Sequence, residues 1–188
     1  MNKIILSILL CFVSINFFSC GQEKDPSQSS NKVLVVGTNA EFAPFAFIEN
    51  DEIVVFEIDL SKEICSRMGY KMQLKELPFD ALIPELKLKK VAFVAAGMTE
   101  TPERKKVVDF SLAYLEGSPL CLVYSETKFQ NLTLDDLSIL RVVVNDAYTA
   151  DNFVTDNLKL TPIRLATPVD AMIALQSNRA DVFVTAKD

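Results

Sequence analysis

Gly97, Thr99 and Arg104 place a backbone N–H, a hydroxyl and a guanidinium within one short stretch, Ala96-Gly97-Met98-Thr99-Glu100-Thr101-Pro102-Glu103-Arg104. Together these groups can hold a small anion, most simply a carboxylate, through charge-assisted hydrogen bonds. Gly lets the backbone approach a ligand closely. A guanidinium matches a carboxylate in two-pronged geometry better than an ammonium does. The stretch lies between an apolar run at 91–96 and a helix start at Thr101-Pro102-Glu103. Thr is favoured at an N-cap, Pro at the first helical position, and Glu in the first turn, where it meets the positive end of the dipole. The carboxyl end of a strand is where an open α/β sheet places its ligands.

The elements that must position this turn are legible along the chain. Residues 33–36 form an apolar strand, 37–45 a loop and 53–56 a short second strand. Residues 58–68 predict an amphipathic helix with Leu60, Ile64 and Met68 on its apolar face and Gly69 as its stop. Tyr70, Met72 and Leu74 alternate with polar residues, as in a half-buried strand. Asp80 is placed to cap a helix running to Leu88, with Pro84 near its first turn. Residues 91–96 close a β-α-β-α-β order, which implies a mainly parallel sheet with helices on both faces. Residues 118–124 read as the strand that crosses to a second unit, and Thr133 as the cap of a short helix through Leu137. A strand at 140–144, a helix at 146–157, a strand at 161–165, a helix opened by Thr167-Pro168 and ending at Gln176, and a strand at 182–185 follow. The expected fold class is α/β, in two lobes (33–117 and 118–188) with a cleft between them.

The chain of 188 residues is 49% hydrophobic and 23% charged, a globular composition. A net charge of −6 without a basic patch argues against nucleic acid as a partner. There is no His, so the commonest general base and metal ligand are missing; no metal or cofactor is expected. No G-x-x-x-x-G-K-[ST] phosphate loop is present. Lys3 followed by a mostly apolar stretch to Phe18 reads as an export signal, too short to span a bilayer as a helix. The following Ser19-Cys20-Gly21 resembles a bacterial lipoprotein cleavage site, with Cys20 as the lipidated first residue; a plain secretory signal ending near Ser19 is the alternative. Residues 20–32, polar and rich in Ser and Gln, read as a flexible tether. Cys65 and Cys121 are expected as buried free thiols rather than a disulfide.

Four segments, in order, carry a resemblance: VGTNAEFAPF at 36–45, FEIDLSKEI at 56–64, FDALIPEL at 79–86 and GMTETPERKKVVDFS at 97–111. The chain after Lys32 resembles bacterial extracellular solute-binding proteins of the polar amino-acid type. The resemblance implies a two-lobed periplasmic binding protein type II-like fold that closes by hinge motion near 118–122. It implies capture of an amino acid or related carboxylate for an ABC permease, at the outer side of the membrane and held there by the lipid anchor, with no enzymatic role. Arg104 matches the position that holds the ligand's α-carboxylate, Gly97 and Thr99 its further donors, and Ala96 a backbone contact. Phe42 and Phe79 match the two aromatic walls around the ligand side chain, Asn39 a position near its amino group or side chain, and Thr149 a second-lobe Thr at a helix start. The sequence also departs from the family. Val55 and Lys89 replace glycines, Ala92 replaces an Asp, and Ala147-Tyr148 replaces a Gly-Thr type pair. Ala186 stands where the family has the Asp that pairs with the ligand's ammonium, and Asp146 is a candidate substitute. The family's chain also crosses back to complete the first lobe, so this sequence reads as C-terminally truncated. Rival readings are a lipoprotein that has lost its ligand and a dehydratase-like enzyme, the latter without a recognisable carboxylate pair near the motifs.

Overall fold

The computed structural model describes residues 32–40, 47–49, 52–54 and 56–187. The readings at 1–31, including Cys20, and those at Phe42 and Val55 lie outside the described residues.

The first sheet has the order β4-β1-β5, all parallel, with β1 (Val33–Thr38) between β4 (Lys71–Glu76) and β5 (Phe93–Val94). Between β1 and β4 lie a hairpin of β2 (Phe47–Glu49) and β3 (Glu52–Val54), and helix α1 (Phe56–Arg67). The parallel β-α-β order expected from the sequence is therefore present. Gly37 in β1 packs close to the layer above it: a Cβ there would come into van der Waals contact with the Leu82 and Val91 side chains at 3.4 Å. Leu82, at the start of α2 (Leu82–Lys87), is fully buried against this strand, with Val36, Ile58 and Val91 completing the core.

Three local expectations are corrected here. Helix α1 buries Glu57, Ile58, Ser61 and Cys65, whereas Ile64 and Met68 are exposed. The 60/64/68 stripe instead lines a groove with Ile83, Leu86 and Val107. Counting apolar residues missed the true inner face because that face carries a carboxylate and a hydroxyl. Asp80 makes no cap: the chain enters through a 3₁₀ turn (Phe79–Ala81) whose N-cap is Pro78, and α2 begins after it. The strand expected at 91–96 shrinks to two residues, flanked by Ala92 N–H donating to Val35 O and Ala95 N–H to Gly37 O.

Helix α3 (Pro102–Lys105) is short, and Thr101 caps it as expected, its hydroxyl accepting from Arg104 N–H at 3.2 Å.

The second sheet has the order β6-β9-β7-β8: β6 (Leu120–Tyr124), β9 (Val182–Ala186), β7 (Val142–Asn145) and β8 (Ile163–Leu165). The β7–β8 and β7–β9 pairs are parallel, but β6 runs antiparallel to β9. Two apolar clusters cover its faces. One gathers Leu137, Val142, Val144, Val154, Val182 and Val184; the other gathers Val143, Ala171, Ala174, Ala180 and Phe183. Adjacent β7 residues serve opposite clusters because strand side chains alternate faces. Helix α5 (Pro168–Gln176) starts as expected, with the Thr167 hydroxyl accepting from Asp170 N–H at 3.0 Å.

Two second-lobe starts differ from expectation. Thr133 does not cap: its hydroxyl and N–H both donate to Asp136, before a 3₁₀ turn at Asp135–Ile139. The helix expected from Asp146 starts later, as α4 (Thr149–Asn152), and widens into a π-helical turn at Phe153–Asn157. Ala147 has φ +62° and so cannot belong to a right-handed helix. Cys65 is buried and Cys121 half-buried, both as free thiols; burial pushes the Cys65 thiol above its ordinary pKa. Among the described residues, no helix is long and apolar enough to cross a membrane.

Candidate functional site

A cleft of about 340 Å³ lies between the two sheets' loops, a size typical of small-molecule sites. The expected residues Asn39, Phe79, Ala96, Gly97, Thr99, Arg104 and Thr149 all line it, as does Ala186.

Arg104 is its chemical centre. Capped α3 presents the side chain inward, and Arg104 is only 7% exposed. Nη1 donates to Thr99 O at 2.6 Å and Nη2 to Ala147 O at 2.8 Å, so the guanidinium touches both lobes. It also lies over the Phe79 ring, 5.4 Å from the centroid, within cation–π reach. Burial pushes its pKa below the ordinary arginine value, yet arginine is effectively always protonated. Among the described residues, no carboxylate forms a salt bridge with this guanidinium. A buried cation held only by neutral carbonyls is poorly compensated. An anion presented to it would meet a desolvated, fixed donor.

Gly97 is used differently from the expectation. Its N–H donates to both carboxylate oxygens of Glu57, each at 2.9 Å. The turn has φ +57° at Gly97, a left-handed conformation that glycine takes without a Cβ penalty. Glu57 is 1% exposed and sits in the first turn of α1, where a negative charge suits the helix dipole. It also accepts from the Tyr114 hydroxyl. That bond, after burial, holds the Tyr114 phenol well above its ordinary pKa. Glu57, which itself lines the cleft, thus fixes the Gly97 turn and takes up its N–H. Sequence reasoning missed Glu57 and Tyr114; the available signal was an acidic residue in register with Ser61 and Cys65 on one helical face.

The remaining residues close the cleft. Asn39, 3% exposed, donates from Nδ2 to Leu77 O at 3.1 Å and accepts from Tyr148 Oη at 3.2 Å. The Phe79 and Tyr148 rings lie 4.3 Å apart, tilted by 38°. Thr149 is the first residue of α4, whose N-cap is Tyr148. Asp146 does not face the cleft: it lies 4.0 Å from Arg164, which also bonds the buried Asp151 at 2.9 Å. It is therefore no substitute for an acid at Ala186. Among the described residues, no group of three or more Cys, Asp or Glu side chains converges as a metal site.

A cleft between two α/β lobes with one buried guanidinium has the form of a small-molecule binding site. Residues 34–151 match the bacterial extracellular solute-binding proteins, family 3, and the chain belongs to that family. It is 36% identical over 132 residues to the arginine-binding extracellular protein ArtP of Bacillus subtilis, covering 70% of this chain and 52% of that protein. It is 32% identical over 183 residues to the ABC transporter arginine-binding protein 1 of Escherichia coli, covering 96% of this chain and 70% of that one. The solved structure of holo ArgBP from T. maritima superposes with a TM-score of 0.73 at 37% identity, covering 81% of this chain and 68% of that one. The chain thus spans about half of ArtP's length and about 70% of the other two.

Proposed function

We propose that this chain captures an amino acid or related small carboxylate in the cleft and delivers it to an ABC importer. The carrying observation is Arg104, nine-tenths buried and bonded to backbone carbonyls at 2.6 and 2.8 Å. The ligand carboxylate docks on the other N–H groups of that guanidinium, beside Thr99 and Thr149, with Phe79 and Asn39 nearest its side chain. Family membership and the arginine-binding relatives support an α-amino acid as the ligand class. Ala186 in the cleft wall supplies no charge for an ammonium, which favours ligands whose amino group is solvated or absent.

In this reading 33–117 and 118–188 are the two lobes and 118–122 is their hinge. Cys20 is lipidated and anchors the protein outside the cytoplasm through the 20–32 tether, facing its permease. The test is a thermal-melt screen of residues 21–188 against amino acids and small mono- and dicarboxylates. A ligand at a hundredfold excess over Kd adds about 2.7 kcal/mol to stability. A selective upward shift is the expected result; a cooperative melt that no acid moves would refute the receptor assignment.

A further inference from the structure

Tyr148 sits where a ligand side chain would rest. Its ring lies 4.3 Å from Phe79 and its hydroxyl donates to Asn39 Oδ1 at 3.2 Å. Asn39 is itself buried and anchored on Leu77 O, so this acceptor is fixed in place. One residue earlier, Ala147 O accepts from Arg104 Nη2 at 2.8 Å. Ala147 holds φ +62°, a conformation that disfavours any residue with a Cβ. A single second-lobe dipeptide therefore meets the cation with an oxygen and the aromatic wall with a ring. That is the pairing of groups an acid with a large side chain would bring.

We propose that Ala147-Tyr148 is a built-in occupant of the cleft and that Tyr148 determines ligand selectivity. This rests on the receptor reading above. An acid with a long or aromatic side chain must expel the phenol from Phe79 and Asn39. A compact acid instead uses the N–H groups of Arg104 not bonded to Thr99 and Ala147, and leaves the ring seated. The same two contacts also hold the lobes together without added ligand.

The experiment compares residues 21–188 with Tyr148→Ala and Tyr148→Phe. Radius of gyration is measured by small-angle scattering without added ligand, and affinity by calorimetry for glycine, alanine, arginine and phenylalanine. Tyr148→Ala is expected to enlarge the particle and to improve arginine or phenylalanine at least tenfold relative to alanine. Tyr148→Phe keeps the ring and removes the hydroxyl that donates to Asn39, so it is expected to fall between the two. If Tyr148→Ala does not fold, Tyr148→Phe carries the test, with a smaller shift in the same direction. An unchanged radius together with unchanged relative affinities overturns the proposal. If no variant binds any of the four amino acids, the amino-acid form of the receptor reading fails. The scattering then decides this inference alone: enlargement supports the internal contact and an unchanged radius refutes it.

Discussion

Replacing Glu57 by Gln should destabilise the first lobe far more than a surface substitution would. The carboxylate is 1% exposed, accepts the Gly97 N–H on both oxygens and accepts the Tyr114 hydroxyl. A hydrogen bond to a charged group contributes about 1.5–3 kcal/mol. The Gly97 N–H counts once, because one hydrogen is shared between two oxygens. The Tyr114 bond counts at the low end, because that residue is 46% exposed. A carboxylate in the first helical turn adds about 0.3–1 kcal/mol. Gln keeps the volume and one acceptor oxygen, so roughly half the total is lost and the expected change is about 2–3 kcal/mol. With a urea m-value of about 1–3 kcal/mol/M, the unfolding midpoint falls by about 0.7–3 M. Tyr114→Phe should cost about 1–1.5 kcal/mol, for the single bond it removes. The double variant should lose less than the two singles added, since both act on one bond. A Glu57→Gln midpoint that matches the parent protein, or strictly additive losses, would refute the role assigned to this carboxylate. A second readout is phenolate absorbance, which the absence of Trp leaves uncluttered. The raised Tyr114 pKa means that its stabilisation holds below about pH 10 and fades as pH climbs towards the folded-state value.

Two further substitutions probe the scaffold. Gly97→Ala should cost about 1–2 kcal/mol from the left-handed backbone alone, since nothing lies within 4 Å of the added methyl; a melting temperature unchanged within error would contradict this. The Asp181 carboxyl is pulled from 3.8 to about 2, chiefly by Arg141, whose guanidinium it meets at 2.7 Å. A depressed carboxyl stabilises the folded state above about pH 4 and loses that contribution as pH falls to about 2. Arg141 is half exposed, so the contribution is discounted to about 1 kcal/mol. Asp181→Asn should flatten the acid limb of the stability curve, and an acid limb identical to the parent's would count against the pair.

Features written in local chemistry were the most legible. Thr101-Pro102 and Thr167-Pro168 mark helix starts because a cap needs only its own next few residues, and both hydroxyls accept the expected N–H. The parallel first sheet followed from element order. Gly97, Thr99 and Arg104 were legible from residue type and position and the other cleft residues from segment resemblance, none from periodicity; seven of them line one cleft. What stayed hidden depends on partners distant in sequence. The inner face of α1 is set by Gly97 and Tyr114, 40 and 57 residues away from Glu57. The phenol of Tyr148 finds its acceptor 109 residues away. The left-handed turn at Ala147 carries no glycine to announce it, so the helix was expected three residues too early.

Direct titration of residues 21–188 and of the Arg104→Ala variant, with the acid selected by the melt screen, tests the central claim. Truncating one side of a buried charge pair costs about 2–5 kcal/mol, so affinity should fall at least about 30-fold while the variant keeps a cooperative melt. Arg104→Lys should recover only part of the loss, because an ammonium lacks the planar fork. Equal affinity in the parent protein and a folded Arg104→Ala variant would contradict the claim that this buried guanidinium holds the ligand.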